Sequence, residues 1–76
     1  MKEYVIIEVL SCGDDFNRII KAASDLEAVD KARKEWQRLT EAEKERRTLF
    51  AAGACELDTA GEIDYNTLDI LAKFKG

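Results

Sequence analysis

The residues best suited to chemistry in this chain are acids crowded into its last third. Glu56, Asp58, Glu62 and Asp64 fall within nine positions, and Asp69 follows. Closely spaced carboxylates suit a hard cation such as Ca2+. In the stretch Glu56-Leu57-Asp58-Thr59-Ala60-Gly61-Glu62-Ile63-Asp64, Gly61 and Ile63 stand where an EF-hand loop keeps its glycine and its apolar residue. Glu56, Asp58 and Asp64 then occupy ligand positions. The fit ends there, because Ala60 replaces an oxygen ligand and Thr67 stands where a bidentate Glu is required. The stretch is therefore read as a turn, with Asp58 and Gly61 suited to its geometry, and no metal is expected.

Other chemistry is poorly supplied. The chain has no His, so the commonest general base is missing. Cys12 and Cys55 have no imidazole to activate them, and two thiols are too few for a disulfide scaffold. They are expected to stay free in a reducing, cytoplasmic setting. Phosphate loops and nucleophile elbows are absent from the sequence. The chain is expected to be non-enzymatic and to need no cofactor.

Charge then narrows the partners. Sixteen acids against twelve bases give a net charge of −4, which disfavours a nucleic-acid binder built on a basic face. Residues 48–76 carry five acids and two bases, so the excess negative charge lies there. The one basic cluster, Lys44, Arg46 and Arg47, is interleaved with Glu41, Glu43 and Glu45 and is read as a solvated helix face. Glu56, Asp58, Glu62 and Asp64 offer an alternative role: imitating nucleic-acid phosphates to block a basic site on another protein.

The elements that must carry these residues can be read from periodicity. Seventy-six residues, 46% apolar and 37% charged, with no Pro, suit one folded domain over 1–76. No apolar run approaches the roughly 20 residues of a membrane helix, so no membrane partner is expected. Tyr4–Leu10 is β-branched and predicts a strand; Ser11–Asp15 a turn; Phe16–Ala23 a second strand. Ser24-x-x-Glu27 is a capping box opening a helix to Thr40, with Leu26, Val29, Ala32, Trp36 and Leu39 near helical period. Thr40-x-x-Glu43 repeats the box and predicts a short second helical turn. Thr48–Leu57 predicts a third strand, small at Ala51–Ala54 so that Trp36 can approach. Residues 66–74 suit either a helix, favoured by propensity, or a fourth strand.

The expected architecture is α+β: an antiparallel sheet of three or four strands packed on one main helix, in the order ββαβ plus a C-terminal element. Tyr4, Ile6 and Leu10 share the face of the first strand opposite Val5, Ile7 and Val9. They are expected to point away from the helix and to be covered by the C-terminal segment or a partner subunit.

The pattern of the Tyr4-Val5-Ile6 strand followed by the run from Glu27 to Thr67, about two-thirds of the chain, resembles small uncharacterised proteins of gut Firmicutes and their mobile elements. The likeness rests on Ala28, Ala32, Trp36, Leu39-Thr40, Glu43-Lys44 and Gly61-Glu62-Ile63-Asp64-Tyr65. It implies a phage or mobile-element accessory protein, including an inhibitor of host defence, and no catalytic residues. The function expected from the whole chain is a protein-interaction module that binds a protein partner or forms a homodimer. Tyr4, Ile6, Leu10, Glu56, Asp58, Glu62 and Asp64 are its candidate contact residues.

Overall fold

The computed structural model describes residues 2–75. Six elements follow in order: β1 (Glu3–Leu10), β2 (Asp15–Ile20), α1 (Asp25–Arg38), α2 (Glu41–Glu45), β3 (Arg47–Leu57) and β4 (Ile63–Lys73). The strands form one antiparallel sheet in the order β2-β1-β3-β4. The expected α+β class holds, and the C-terminal segment is the fourth strand. Helix propensity favours residues 66–74 by only tenths of a kcal/mol per residue. Pairing with β3 satisfies backbone groups that a separate helix would leave open along that strand.

Local chemistry sets the helices. Ser24 Oγ accepts from the Glu27 amide at 3.2 Å, while the Glu27 carboxylate reaches Lys31 at 3.5 Å. The second box is reciprocal: Thr40 Oγ1 accepts from the Glu43 amide, and Glu43 Oε1 accepts from the Thr40 amide at 2.9 Å. These bonds hold the Glu43 carboxyl below its usual range, the Thr40 amide contributing most. Helix α1 buries Ala28, Ala32 and Trp36, with Val29 and Leu39 partly covered. Leu26, expected in that stripe, is 78% exposed. Ala28 takes its place, since a spacing of four from Ala28 to Trp36 follows one face more closely.

The faces of β1 are the reverse of the expectation. Tyr4 and Ile6 lie beneath α1: Ile6 packs with Ala32, Trp36, Phe50 and Ala52, and Tyr4 with Ala28 and Ala54. Both faces of β1 are apolar, so alternation alone does not choose between them. Polar groups do. The Tyr4 hydroxyl donates to Asp25 Oδ1 in the first turn of α1 at 2.7 Å, and Lys2 Nζ donates to the same oxygen at 3.0 Å. These bonds, Tyr4 first, pull the Asp25 carboxyl below its usual range. Glu8, on the same face, meets Arg47 and Arg18. Leu10 is half-buried at the end of β1, past a register shift, opposite Arg47.

The face away from α1 is covered from within the chain. Val5, Ile7 and Cys55 are buried there, and Ile63 and Leu68 of β4 pack against them with Val9 and Leu49. Two register shifts in the β3–β4 ladder bend β4 towards this face. One surrounds Gly53, where an added Cβ would lie 2.9 Å from Leu68 Cδ1, 3.2 Å from the Asp69 carbonyl and 3.4 Å from Val5 Cγ2. Leu68 can rotate, but the Asp69 backbone cannot move without disturbing the ladder. Gly53→Val is therefore expected to destabilise the fold by about 1–3 kcal/mol, measured by urea unfolding. An unchanged midpoint would mean that β4 does not press on β3 at this point.

Candidate interaction site

The acidic corner is a hairpin turn. Gly61 adopts φ +80° between β3 and β4, a backbone region that favours glycine. Asp58 Oδ1 accepts from the amides of Ala60 at 2.9 Å and Glu62 at 3.0 Å, and the Asp58 amide donates to the Glu62 carbonyl at 2.8 Å. Asp64 Oδ1 accepts from the Asn66 amide at 3.1 Å. Glu56 pairs across the ladder with Asp64, and its amide donates to Thr67 Oγ1 at 2.8 Å. Two of the four predicted carboxylates thus organise their own backbone. Among the described residues no three His, Cys, Asp or Glu converge in a geometry able to hold a metal ion.

The basic cluster is likewise dispersed. Arg47 Nε donates to Glu8 Oε1 at 2.8 Å and its Nη1 to the Glu43 carbonyl at 2.7 Å. Lys44 Nζ lies 5.5 Å from the centre of the Trp36 ring, a cation–π contact. Cys12 is exposed and Cys55 buried, both as free thiols. Burial first, then Glu3 and Asp64, pushes the Cys55 thiol above its usual range. It is a core side chain and a poor nucleophile. No helix among the described residues is long and apolar enough to cross a membrane.

The surface that stands out is β2, an outer strand of the sheet. Its pairing with β1 is regular through six consecutive partners, from Tyr4↔Ile20 to Val9↔Asp15. An outer strand directs alternate amides and carbonyls away from the sheet. Phe16 is 56% exposed on the α1 side of β2, and Ile19 is 46% exposed on the opposite side. Tyr65, 59% exposed, joins Ile19: its hydroxyl accepts from Asn17 Nδ2 at 2.7 Å. Asn17 and Tyr65 belong to the two outermost strands, whose backbones in a flat sheet would stand roughly 14 Å apart. Their contact shows how far the bent β4 reaches across. The result is a shallow apolar groove beside β2, lined by Asn17, Ile19, Glu62, Ile63 and Tyr65.

Side chains from α1 hold β2 in place without covering its outer edge. Arg18 forms a two-pronged ion pair with Glu35, and Lys31 Nζ donates to the Lys21 carbonyl. Glu35, followed by Glu8, keeps Arg18 more firmly protonated than usual. The opposite edge differs. β4 is broken by two register shifts and carries Asp64, Asp69 and Lys73, features that discourage further strand pairing.

Of the predicted contact residues, only Glu62 lines the groove beside β2. Tyr4 and Ile6 are in the core, Leu10 is half-buried, and Glu56, Asp58, Glu62 and Asp64 lie along the β3–β4 hairpin. Phe16, Ile19 and Tyr65 do not stand out in the sequence. A usable signal exists in Asp15–Lys21, where Phe16 and Ile19 have opposite parity, so one of them must leave whichever face is buried. Comparison with known proteins finds no matching family model, curated protein or solved structure.

Proposed function

We propose that the protein is a small non-enzymatic binding module that captures an extended segment of a protein by adding it as a strand beside β2. The observation that supports this reading is a regular, uncovered edge strand flanked on both faces by exposed large apolar side chains, Phe16 on one and Ile19 with Tyr65 on the other. Strand addition draws affinity from main-chain hydrogen bonds and selectivity from alternate side chains. Here an added strand would bury Phe16 on the α1 side and Ile19 on the groove side. The acidic hairpin gives less support to nucleic-acid mimicry, since Asp58 and Asp64 accept bonds from their own backbone.

The test works without the natural partner in hand. Peptides are selected from a random display library on the immobilised chain and mapped by amide chemical shifts. Binders are expected to perturb β2 amides and to lose at least about tenfold in affinity against Phe16→Lys or Ile19→Lys, the loss of one anchoring contact. Binders that map elsewhere, or that ignore both substitutions, would overturn the proposal.

A further inference from the structure

The β2 edge is complementary to itself. β2 together with the residue that follows it, Asp15-Phe16-Asn17-Arg18-Ile19-Ile20-Lys21, begins with an acid and ends with a base. Among the described residues neither Asp15 nor Lys21 has an ion-pair partner within the chain. We infer that a second copy of this chain is the strand that β2 takes up, paired antiparallel about a two-fold axis at Arg18. This rests on the proposal that β2 accepts an added strand.

The register follows from charge and face. With Arg18 opposite its own copy, Asp15 stands opposite Lys21 twice, and Phe16 stands opposite Ile20 twice. Facing residues of an antiparallel pair point to the same side. The two ion pairs therefore form on the groove side, and the two apolar pairs form on the α1 side. Cross-strand pairs of both kinds stabilise a sheet. Arg18 would meet Arg18 at the centre, a like-charge contact, but each is already neutralised by Glu35 and lies near Glu8. A shift of two residues in either direction removes both Asp15–Lys21 pairs. A shift of one puts the two helices on opposite faces and mismatches the apolar sides.

The helices permit this arrangement. α1 packs chiefly over β1 and β3 and reaches β2 only at Ile20 and through the Arg18–Glu35 pair. In an eight-stranded continuous sheet the two α1 axes would stand roughly 19 Å apart, at about 4.8 Å per strand. That exceeds the roughly 10–12 Å diameter of a helix. Phe16 and Ile20 of both copies lie in the space between. The interface is a symmetric, closed one, the same patch on each subunit.

The inference is tested by sedimentation of the full chain at low salt, from a few micromolar to about a millimolar. Wild type is expected to shift from monomer to dimer mass. Asp15→Lys replaces two attractive cross-strand pairs by two repulsive ones and is expected to weaken association by about tenfold. The double variant Asp15→Lys with Lys21→Asp restores opposite charges in this register alone and is expected to recover association to within about threefold. Glu45→Lys, on α2, makes the same change in net charge and is expected to leave it unaltered. A monomer at every concentration, a dimer indifferent to Asp15→Lys, or a swap that fails to restore would each overturn the inference. Such a result leaves strand capture to the peptide selection, which scores foreign strands on β2 whether or not the chain pairs with itself.

Discussion

Phe50→Ala is expected to lower the unfolding free energy by about 3–5 kcal/mol, the range for truncating a buried aromatic. Phe50 is among the largest fully buried side chains. Its ring lies 5.3 Å from the Trp36 ring, tilted by 45°, and 6.1 Å from the Phe74 ring, edge-on at 71°. It joins β3, α1 and the end of β4 in one contact set, and the Phe74 amide also donates to the Phe50 carbonyl at 2.8 Å. Truncation removes both ring contacts and leaves a cavity that two aromatic neighbours are too stiff to fill. A 76-residue domain has roughly 4–11 kcal/mol of total stability, so the variant should be largely unfolded at modest urea concentrations. Phe50→Leu keeps most of the volume and is expected to lose less. Equal midpoints for Phe50→Ala and wild type would show that the three-ring cluster does not contribute to the core.

Removing the Glu8 carboxylate is the second large effect. Glu8 and Arg47 side chains are 13% and 16% exposed, and their ion pair is 2.8 Å long. At that burial solvent screens the pair weakly, so the surface-pair discount does not apply. Glu8→Ala leaves the Arg47 guanidinium without its carboxylate and removes a neighbour of Arg18 at 3.8 Å. A loss of about 2–4 kcal/mol is expected, chiefly from the uncompensated charge. Arg47 retains its bond to the Glu43 carbonyl, which keeps the effect below that of a fully orphaned ion. Arg47→Met reverses the situation, and the double variant is expected to lose less than the two single losses combined. The double-mutant cycle is measured by urea unfolding. Strict additivity would mean that Glu8 and Arg47 are independent despite their contact.

These two sites illustrate how differently the sequence discloses its parts. The β1, α1 and β3 segments are legible because each carries a redundant local signal. Ser24 and Thr40 sit three residues before Glu27 and Glu43, and both hydroxyls cap as expected. Ala32 and Trp36 mark the inner face of α1, and Ala52 and Ala54 leave the space into which α1 packs. The turn at Asp58 and Gly61 is equally local. Leu26 shows the limit of that method: an apolar residue at acceptable spacing still lies outside the buried stripe.

Local sequence is enough to place β1, β2, α1, α2 and β3, their order and the turns between them. Which face of β1 meets the helix was decided only in three dimensions. Val5 and Ile7 are as apolar as Tyr4 and Ile6, and the choice fell to bonds across long sequence distances, Tyr4 to Asp25 and Glu8 to Arg47. The strand at residues 63–73 was decided in the same way, since β3 offers an edge that local propensity cannot sense. The interaction surface also belongs to the tertiary structure. Phe16 and Ile19 are ordinary strand residues until the sheet order makes β2 an edge, and Tyr65 reaches them only because β4 bends across the sheet. Edge position and sheet curvature are properties of the assembled ladder, and no single segment encodes them.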